Sequence, residues 1–441
     1  MKELLRQKLI DSLAGQPPPR TLREVHLPDV PGKAIAVIGP RRGGKTTFLW
    51  QILAHRLDQG TPREGLVYFN FEDERLAGLA ATDLHLVVEE YFRLYPGWRD
   101  HKKATFFFDE IQVVPGWELF AWRLLDTENI DLFLSGSSAR LLSREVATSM
   151  RGRAMEALIF PFSFREFLRH RNLEPQIPPD RLPKAERSAM DKELLTYLTT
   201  GGFPEAQGRH PSRDRFELLR GQVDTMLLRD VIERHAVSHP VALRWLVRQL
   251  LGNAGSSFSI NKFYGDLRSQ GIPVAKDTLY AYVTHLEDAF LVLTVPIATD
   301  SERRRMVNPR KVYPIDPGLT PVFDRSGKAN LGHSLETAIA LDLKRHGADI
   351  AYVRTRQDFE VDFLARAHDG THALIQVSAD LSDPVTRNRE CRALIEASAE
   401  YPTATLNLIS LTADHVPGVD HRIQLFSAAN WLLQTDRIGS L

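Results

Sequence analysis

Cysteine is almost missing: Cys391 is the only one among 441 residues. A single thiol excludes an internal disulfide framework and any cysteine-based zinc cluster, and it suits a reducing compartment. Long hydrophobic runs are missing too. The opening stretch MKELLRQKLIDSLAG alternates apolar and charged residues at helical period, unlike the unbroken apolar core of a signal peptide, and no later run reaches membrane-spanning length. A cytoplasmic protein is expected. Net charge is also absent, since 56 basic residues balance 56 acidic ones. That argues against a uniformly basic coat for nucleic acid but leaves room for local basic patches. Repeats and low-complexity tracts are lacking as well. With 43% hydrophobic and 25% charged residues, the chain has the composition of about two to four ordinary globular domains, each able to bury its own core.

What is present has a clear rhythm. After an opening helix, Gln16–Arg20 (QPPPR) forms a short linker. Apolar runs at Ala34–Ile38, Leu66–Phe69, Thr105–Phe108, Leu132–Leu134 and Glu156–Phe160 then alternate with amphipathic stretches. That alternation predicts a doubly wound α/β domain over residues 1–160. Residues 161–239 read as mostly helical. Residues 240–320 read as three short helices and a β-hairpin, and residues 330–441 return to mixed helix and strand.

The first strand runs into Gly39-Pro40-Arg41-Arg42-Gly43-Gly44-Lys45-Thr46, followed by Thr47. This is the G-x-x-x-x-G-K-[ST] phosphate loop, set between strand and helix as its mechanism requires. The glycines let backbone N–H groups close around phosphate, and the following helix adds positive potential. Lys45 is expected to reach the β- and γ-phosphates of ATP, and the Thr46 hydroxyl to ligate Mg²⁺. The run Phe106-Phe107-Phe108-Asp109-Glu110 puts two acids at a strand's carboxyl end, where open α/β sheets bind ligands. Asp109 is expected to position Mg²⁺, and Glu110 to orient and deprotonate the attacking water.

Three weaker signals surround this pair. Asn70 either hydrogen-bonds Glu110 and holds it inactive or simply finishes a strand end. Ser137, in Ser135-Gly136-Ser137-Ser138, either senses the γ-phosphate or caps the next helix. Arg153, and after it Arg151, is a candidate arginine finger supplied to a neighbouring subunit, or else solvated surface charge.

These segments resemble a group of bacterial and archaeal AAA-type (AAA+) ATPases fused to a C-terminal restriction-endonuclease-like domain. The similarity is carried by Ile38–Thr47 (IGPRRGGKTT), Phe107–Val113 (FFDEIQV), Leu134–Leu142 (LSGSSARLL), Arg151–Arg153 and Pro161–Phe167 (PFSFREF). It continues through Gly201–Glu205 (GGFPE), Asn308–Leu319 (NPRKVYPIDPGL) and Glu360–Leu364 (EVDFL). The resemblance implies an AAA+-type P-loop core, a helical lid holding Gly202-Phe203-Pro204 near nucleotide, and a homo-oligomer, hexamer or ring, with ATP between subunits.

Between residues 240 and 315 the order of helix, helix, helix and hairpin suggests a winged-helix domain, with Gly271-Ile272-Pro273 as the tight turn. The third helix offers Lys276, Thr278, Tyr280, Tyr282 and His285. The hairpin loop offers Arg303, Arg304 and Arg305, then Arg310 and Lys311. Together they suit DNA phosphates without sequence-specific reading, although protein docking is the alternative. In the last segment, Glu336, Asp362, Gln376 and Ser378 resemble the metal-site positions of a PD-(D/E)xK nuclease. Gln376 replaces a glutamate and Ser378 the lysine, so a degenerate fold is expected to outlast the cleavage activity. Three functions therefore remain open: an ATP-driven DNA motor or remodeller, with branched DNA as a candidate, a switch ATPase that docks protein, and an ATP-controlled nuclease.

Overall fold

A computed structural model describes residues 1–136, 152–208, 212–307, 309–324, 330–411 and 416–434. It divides into two compact units, one of Met1–Phe160 with Asp288–Phe290 and one of the rest.

In the first unit, helix α1 (Lys2–Ala14) precedes strand β1 (Ala34–Ile38) and helix α2 (Lys45–Asp58). Then come β2 (Leu66–Asn70), α3 (His85–Leu94), β3 (Ala104–Asp109), α4 (Trp117–Thr127), β4 (Ile130–Gly136) and β5 (Ala154–Leu158). The five strands form one parallel sheet in the order β2-β3-β4-β1-β5. Every residue of β1 and β3 is buried, as expected of parallel strands covered on both faces. The fifth strand starts two residues before the expected Glu156. Its ladder to β1 begins at Ala34 opposite Ala154, and the chain leaves the sheet towards Pro161.

Leu5, Leu9 and Leu13 recur every fourth residue on α1 and are buried. That stripe packs the helix against α3 and β2. Polar contacts fix the docking: Ser12 Oγ donates to the Tyr68 carbonyl at 2.5 Å, and Lys8 pairs with Asp73.

The second unit begins with α5 (Phe164–His170), α6 (Lys184–Thr200) and α7 (Ser212–Met226), the last running into a π-helical segment over Leu227–Glu233. Next come α8 (Pro240–Gly252), β6 (Ser257–Phe258), α9 (Ile260–Ser269), α10 (Lys276–Asp288) and β7 (Val292–Val295). Helix α11 (Glu302–Val307) and strand β8 (Arg310–Pro314) close a three-stranded sheet of order β6-β8-β7. Where a basic hairpin loop was expected, the chain therefore forms a short helix carrying Arg303, Arg304 and Arg305.

After α12 (Leu319–Phe323) come α13 (Leu331–Arg345), β9 (Asp349–Arg354), β10 (Glu360–Arg366), β11 (His372–Ser378) and α14 (Pro384–Glu400). Strands β12 (Thr405–Ser410) and β13 (Ile423–Ser427) and helix α15 (Ala428–Leu433) finish the described chain. The sheet order is β13-β12-β11-β10-β9, antiparallel through β9-β10-β11 and parallel from β11 onward. Phe164, Phe167 and Tyr197 share a core with Leu335, Phe363, Ile375 and Trp431, so α5 and α6 pack into this C-terminal α/β layer.

A clasp closes the same unit. The Gly202 N–H donates to Asp316 Oδ2 at 2.5 Å and the Gly318 N–H to Oδ1 at 2.9 Å. A Cβ on Gly201, at φ +75°, would lie 1.8 Å from Asp316 Oδ1, so this turn accepts glycine alone.

Candidate nucleotide site and a second charged cluster

Local geometry at the end of β1 follows from its glycines. Gly39 has φ +151°, and a Cβ there would meet the Ile159 carbonyl oxygen at 2.0 Å. Gly44, at φ +103°, starts α2, while Arg42 itself takes φ +59°. Pro40 closes a turn by accepting the Gly43 N–H at 3.1 Å. Lys45 is buried at the base of the loop, its Nζ 3.2 Å from the Gly39 carbonyl and 3.0 Å from that of Pro40. Arg41 lies 4.0 Å from Glu72, and Thr47 stands on the first turn of α2.

The loop faces the carboxylates at the end of β3. Thr46 Oγ1 donates to Asp109 Oδ2 at 2.8 Å, and Tyr68 Oη donates to the same oxygen at 2.7 Å. Ser135 donates its hydroxyl to Asp109 Oδ1 and accepts the Glu110 N–H at 3.0 Å. Asp109 is thus fully buried and satisfied by three hydroxyls from three elements. Glu110, at φ +54°, accepts from the Gln112 amide. Burial pushes the Glu110 carboxyl above its usual range. The Lys45 charge opposes that shift and the Asp109 charge adds to it. A raised carboxyl beside a phosphate loop is suited to taking a proton from water.

The donor set fits Mg²⁺–ATP: a hard-oxygen pair, Thr46 and Asp109, stands at hydrogen-bond distance beside a loop lined with N–H groups and one buried ammonium.

The other expected residues fall differently. Asn70 accepts the Glu72 N–H at 2.7 Å and so closes its own turn. Arg153 pairs with Asp126 and lies over the Trp122 ring at 5.5 Å, half-exposed at the sheet's edge. Ser137 and Arg151 lie outside the described residues. Three residues were missed. Ser135, two positions before the serine chosen, is the hydroxyl held between Asp109 and Glu110. Tyr68 lies in the apolar run Leu66–Phe69, which the sequence marks only as a strand. Buried Arg23 donates to the carbonyl of Gly43 at 2.9 Å and to that of Phe160, tying the phosphate loop to the end of β5. Only the serine run around Ser135 carried a sequence signal.

In the second unit, Lys276 and Tyr280 are exposed on α10, with Lys276 Nζ 5.9 Å from the Tyr280 ring, while Thr278 is half-buried. Tyr282 is buried and accepts the His239 N–H at 3.1 Å, so it is not offered as a surface contact, and half-buried His285 stacks on His235. Arg303 and Arg304 are exposed, Arg305 is half-buried, and Arg310 lies 3.9 Å from Glu287.

Lys311 departs most from expectation. It does not join those arginines at the surface. It is buried, with Nζ 2.7 Å from Asp362 Oδ1, 2.8 Å from Glu360 and 3.2 Å from Glu336 Oε1. Glu336 also accepts from Tyr313 Oη at 2.6 Å. Burial, with Asp362 adding to it, pushes Glu336 up to about 8, against the pull of Lys311. Gln376 accepts the Asp362 N–H at 3.2 Å and donates to Glu390 at 2.6 Å. Ser378 turns away and donates to the Asp380 carbonyl at 3.0 Å. The structure therefore brings Glu336, Asp362 and Gln376 together but leaves Ser378 out, and it adds a lysine from β8.

Comparison with known proteins fits the first unit. An AAA-domain family model matches residues 31–168, and a domain of unknown function matches residues 191–328. An uncharacterised protein of Methanocaldococcus jannaschii is 30% identical over 98% of this chain and 96% of its own length. One of Haemophilus influenzae is 28% identical over 90% of this chain and 94% of its own. Among solved structures, a Walker-type ATPase of Pyrococcus abyssi aligns with a TM-score of 0.42 at 15% identity, over 73% of this chain and 95% of that one. The ORC2 protein of Aeropyrum pernix aligns at 0.38 and 15%, over 73% and 91%.

Proposed function

This chain belongs to the same family as the Methanocaldococcus jannaschii protein, and from that premise and its AAA domain we propose that it is an oligomeric ATP hydrolase acting on DNA. The observation that carries the hydrolase reading is the 2.8 Å contact between Thr46 and Asp109, with Glu110 held beside it by Ser135. Bound Mg²⁺ would be held by Thr46 and Asp109 and would neutralise charge on the phosphate oxygens. Loop N–H groups and Lys45 orient the phosphates. Glu110 takes the proton of the attacking water, and Ser135 keeps both acids in register. Arg153 exchanges Asp126 for a neighbour's γ-phosphate on assembly, as a hexamer or other ring.

The DNA part is supported by the helix and strand order of residues 240–314, read as a winged helix, and by the exposed Lys276, Arg303 and Arg304. Replacing Glu110 with Gln should lower ATP turnover by about 10²–10⁴-fold while nucleotide still binds. Turnover should rise with single-stranded, duplex or branched DNA and fall steeply with salt. DNA affinity unchanged by alanine at Arg303, Arg304 and Arg305 would remove these residues from the DNA surface.

One observation favours a switch that docks protein instead. A cavity of about 200 Å³ opens between α10 and α11, lined in part by Tyr280, Val283 and Met306, and Met306 is 69% exposed. Partner capture that depends on Met306, with no response of turnover to DNA, would select that reading.

A further inference from the structure

The cluster around Lys311 contains the carboxylates expected of a metal site, but its geometry spends them on something else. Asp362 Oδ1 takes the ammonium at 2.7 Å, and Oδ2 takes the Val377 N–H at 2.9 Å. Glu336 Oε1 is shared by Lys311 and Tyr313. Its Oε2 lies against Gly255, where an added Cβ would come within 2.6 Å. The Gln376 oxygen, the one neutral ligand the sequence offered, is occupied by the Asp362 N–H, and its amide nitrogen by Glu390. Glu360, 42% exposed, is the most open to solvent of the three carboxylates. A divalent ion entering here would meet few uncommitted oxygens and a buried positive charge a few ångströms away, at a depth where such repulsion is weakly screened.

The lysine is placed there by the fold. Strand β8 is paired to β7, and the chain after β7 docks on the edge of β9, where the Ala298 N–H donates to the Tyr352 carbonyl at 2.7 Å and the Tyr352 N–H to that of Pro296 at 2.9 Å. Tyr352 Oη also donates to the Pro309 carbonyl at 2.7 Å, immediately before β8. These bonds hold the hairpin against the C-terminal sheet with Lys311 inward.

We propose that the Lys311 ammonium is a built-in counter-cation that takes the place of a divalent metal among Glu336, Glu360 and Asp362, so that this cluster joins the β7–β8 hairpin to the C-terminal sheet and does not cleave nucleic acid. The inference stands apart from the ATPase reading, because none of its residues belongs to the nucleotide site.

The test is Mn²⁺ binding to the full chain, followed by titration calorimetry and electron paramagnetic resonance without nucleotide. Asp109→Asn is present throughout to silence the other metal position. With Lys311 intact, no Mn²⁺ uptake should depend on Asp362. Lys311→Met should gain one Mn²⁺ per chain, with an affinity about 100-fold or more above any residual uptake by the Lys311-intact chain. Mn²⁺ should also raise the melting temperature of that variant, and adding Asp362→Asn should abolish both effects. Uptake by the Lys311-intact chain that disappears with Asp362→Asn would overturn the proposal, as would a folded Lys311→Met chain that takes up none. If Lys311→Met fails to fold, the Lys311-intact measurement alone decides: Asp362-dependent uptake overturns the proposal and its absence supports it.

Discussion

Gly39 and Tyr68 show how single atoms set the candidate nucleotide site. A methyl group at Gly39 would overlap the Ile159 carbonyl, so Gly39→Ala should abolish ATP binding and lower stability by about 2 kcal/mol or more. Fluorescent-nucleotide titration and denaturant unfolding check both. Tyr68→Phe removes one of three hydroxyls from Asp109, and hydrogen bonds to ionised groups are worth about 1.5–3 kcal/mol. Turnover should fall about 10-fold with the fold intact, and a variant matching wild type would show that Thr46 and Ser135 suffice. Burial, with the Asp109 charge adding to it, keeps the Tyr68 phenol protonated far above its ordinary range, so it donates at every accessible pH. The grouping of Lys45, Thr46, Asp109 and Glu110 was legible in the sequence because each lies in a short motif at a strand's carboxyl end. Tyr68 and Arg23 were not, since their partners lie 41 residues away, for Tyr68, and 20 and 137 away, for Arg23. No local pattern records such distances.

Between elements, the clasp of Gly201-Gly202 on Asp316 joins the end of α6 to the turn before α12. Burial pushes the Asp316 carboxyl up to about 7, although the Gly202 and Gly318 N–H groups pull the other way. The folded state therefore keeps a proton that the unfolded chain releases near pH 4. This contribution to stability is complete below about pH 4 and is lost as pH rises through about 7, with a limiting slope of about 1.4 kcal/mol per pH unit. Asp316→Asn should flatten that part of the stability–pH curve, as measured by denaturant midpoints between pH 4 and 8. An identical slope in the variant would place the titration elsewhere. The strand and helix succession was readable from alternating apolar runs and amphipathic stretches. The hairpin loop was misjudged: Glu302–Val307 is rich in helix formers, yet its arginines had suggested a solvated loop. Lys311 was misassigned with them because β8 is buried from its second residue onward: Arg310 is half-exposed, while Lys311 and the three residues after it are interior.

At the scale of the whole molecule, the arginine proposed to complete a neighbour's site is already engaged within its own chain. If assembly transfers Arg153 from Asp126 to phosphate, Arg153→Ala should cut turnover about 10³-fold and leave ATP affinity unchanged. Mass photometry with ATP, run on both forms, separates a lost finger from lost assembly. Full turnover in the variant would return Arg153 to the surface-charge reading.

The docking of α1 carries a practical consequence. Its Ser12 holds the backbone of Tyr68, and Tyr68 holds Asp109, so a chain trimmed to start at the AAA domain would lose the brace behind that carboxylate. Preparations shortened at the front should bind nucleotide yet turn over slowly, and bulky tags fused to Met1 should be judged against an untagged control before any low rate is attributed to the enzyme.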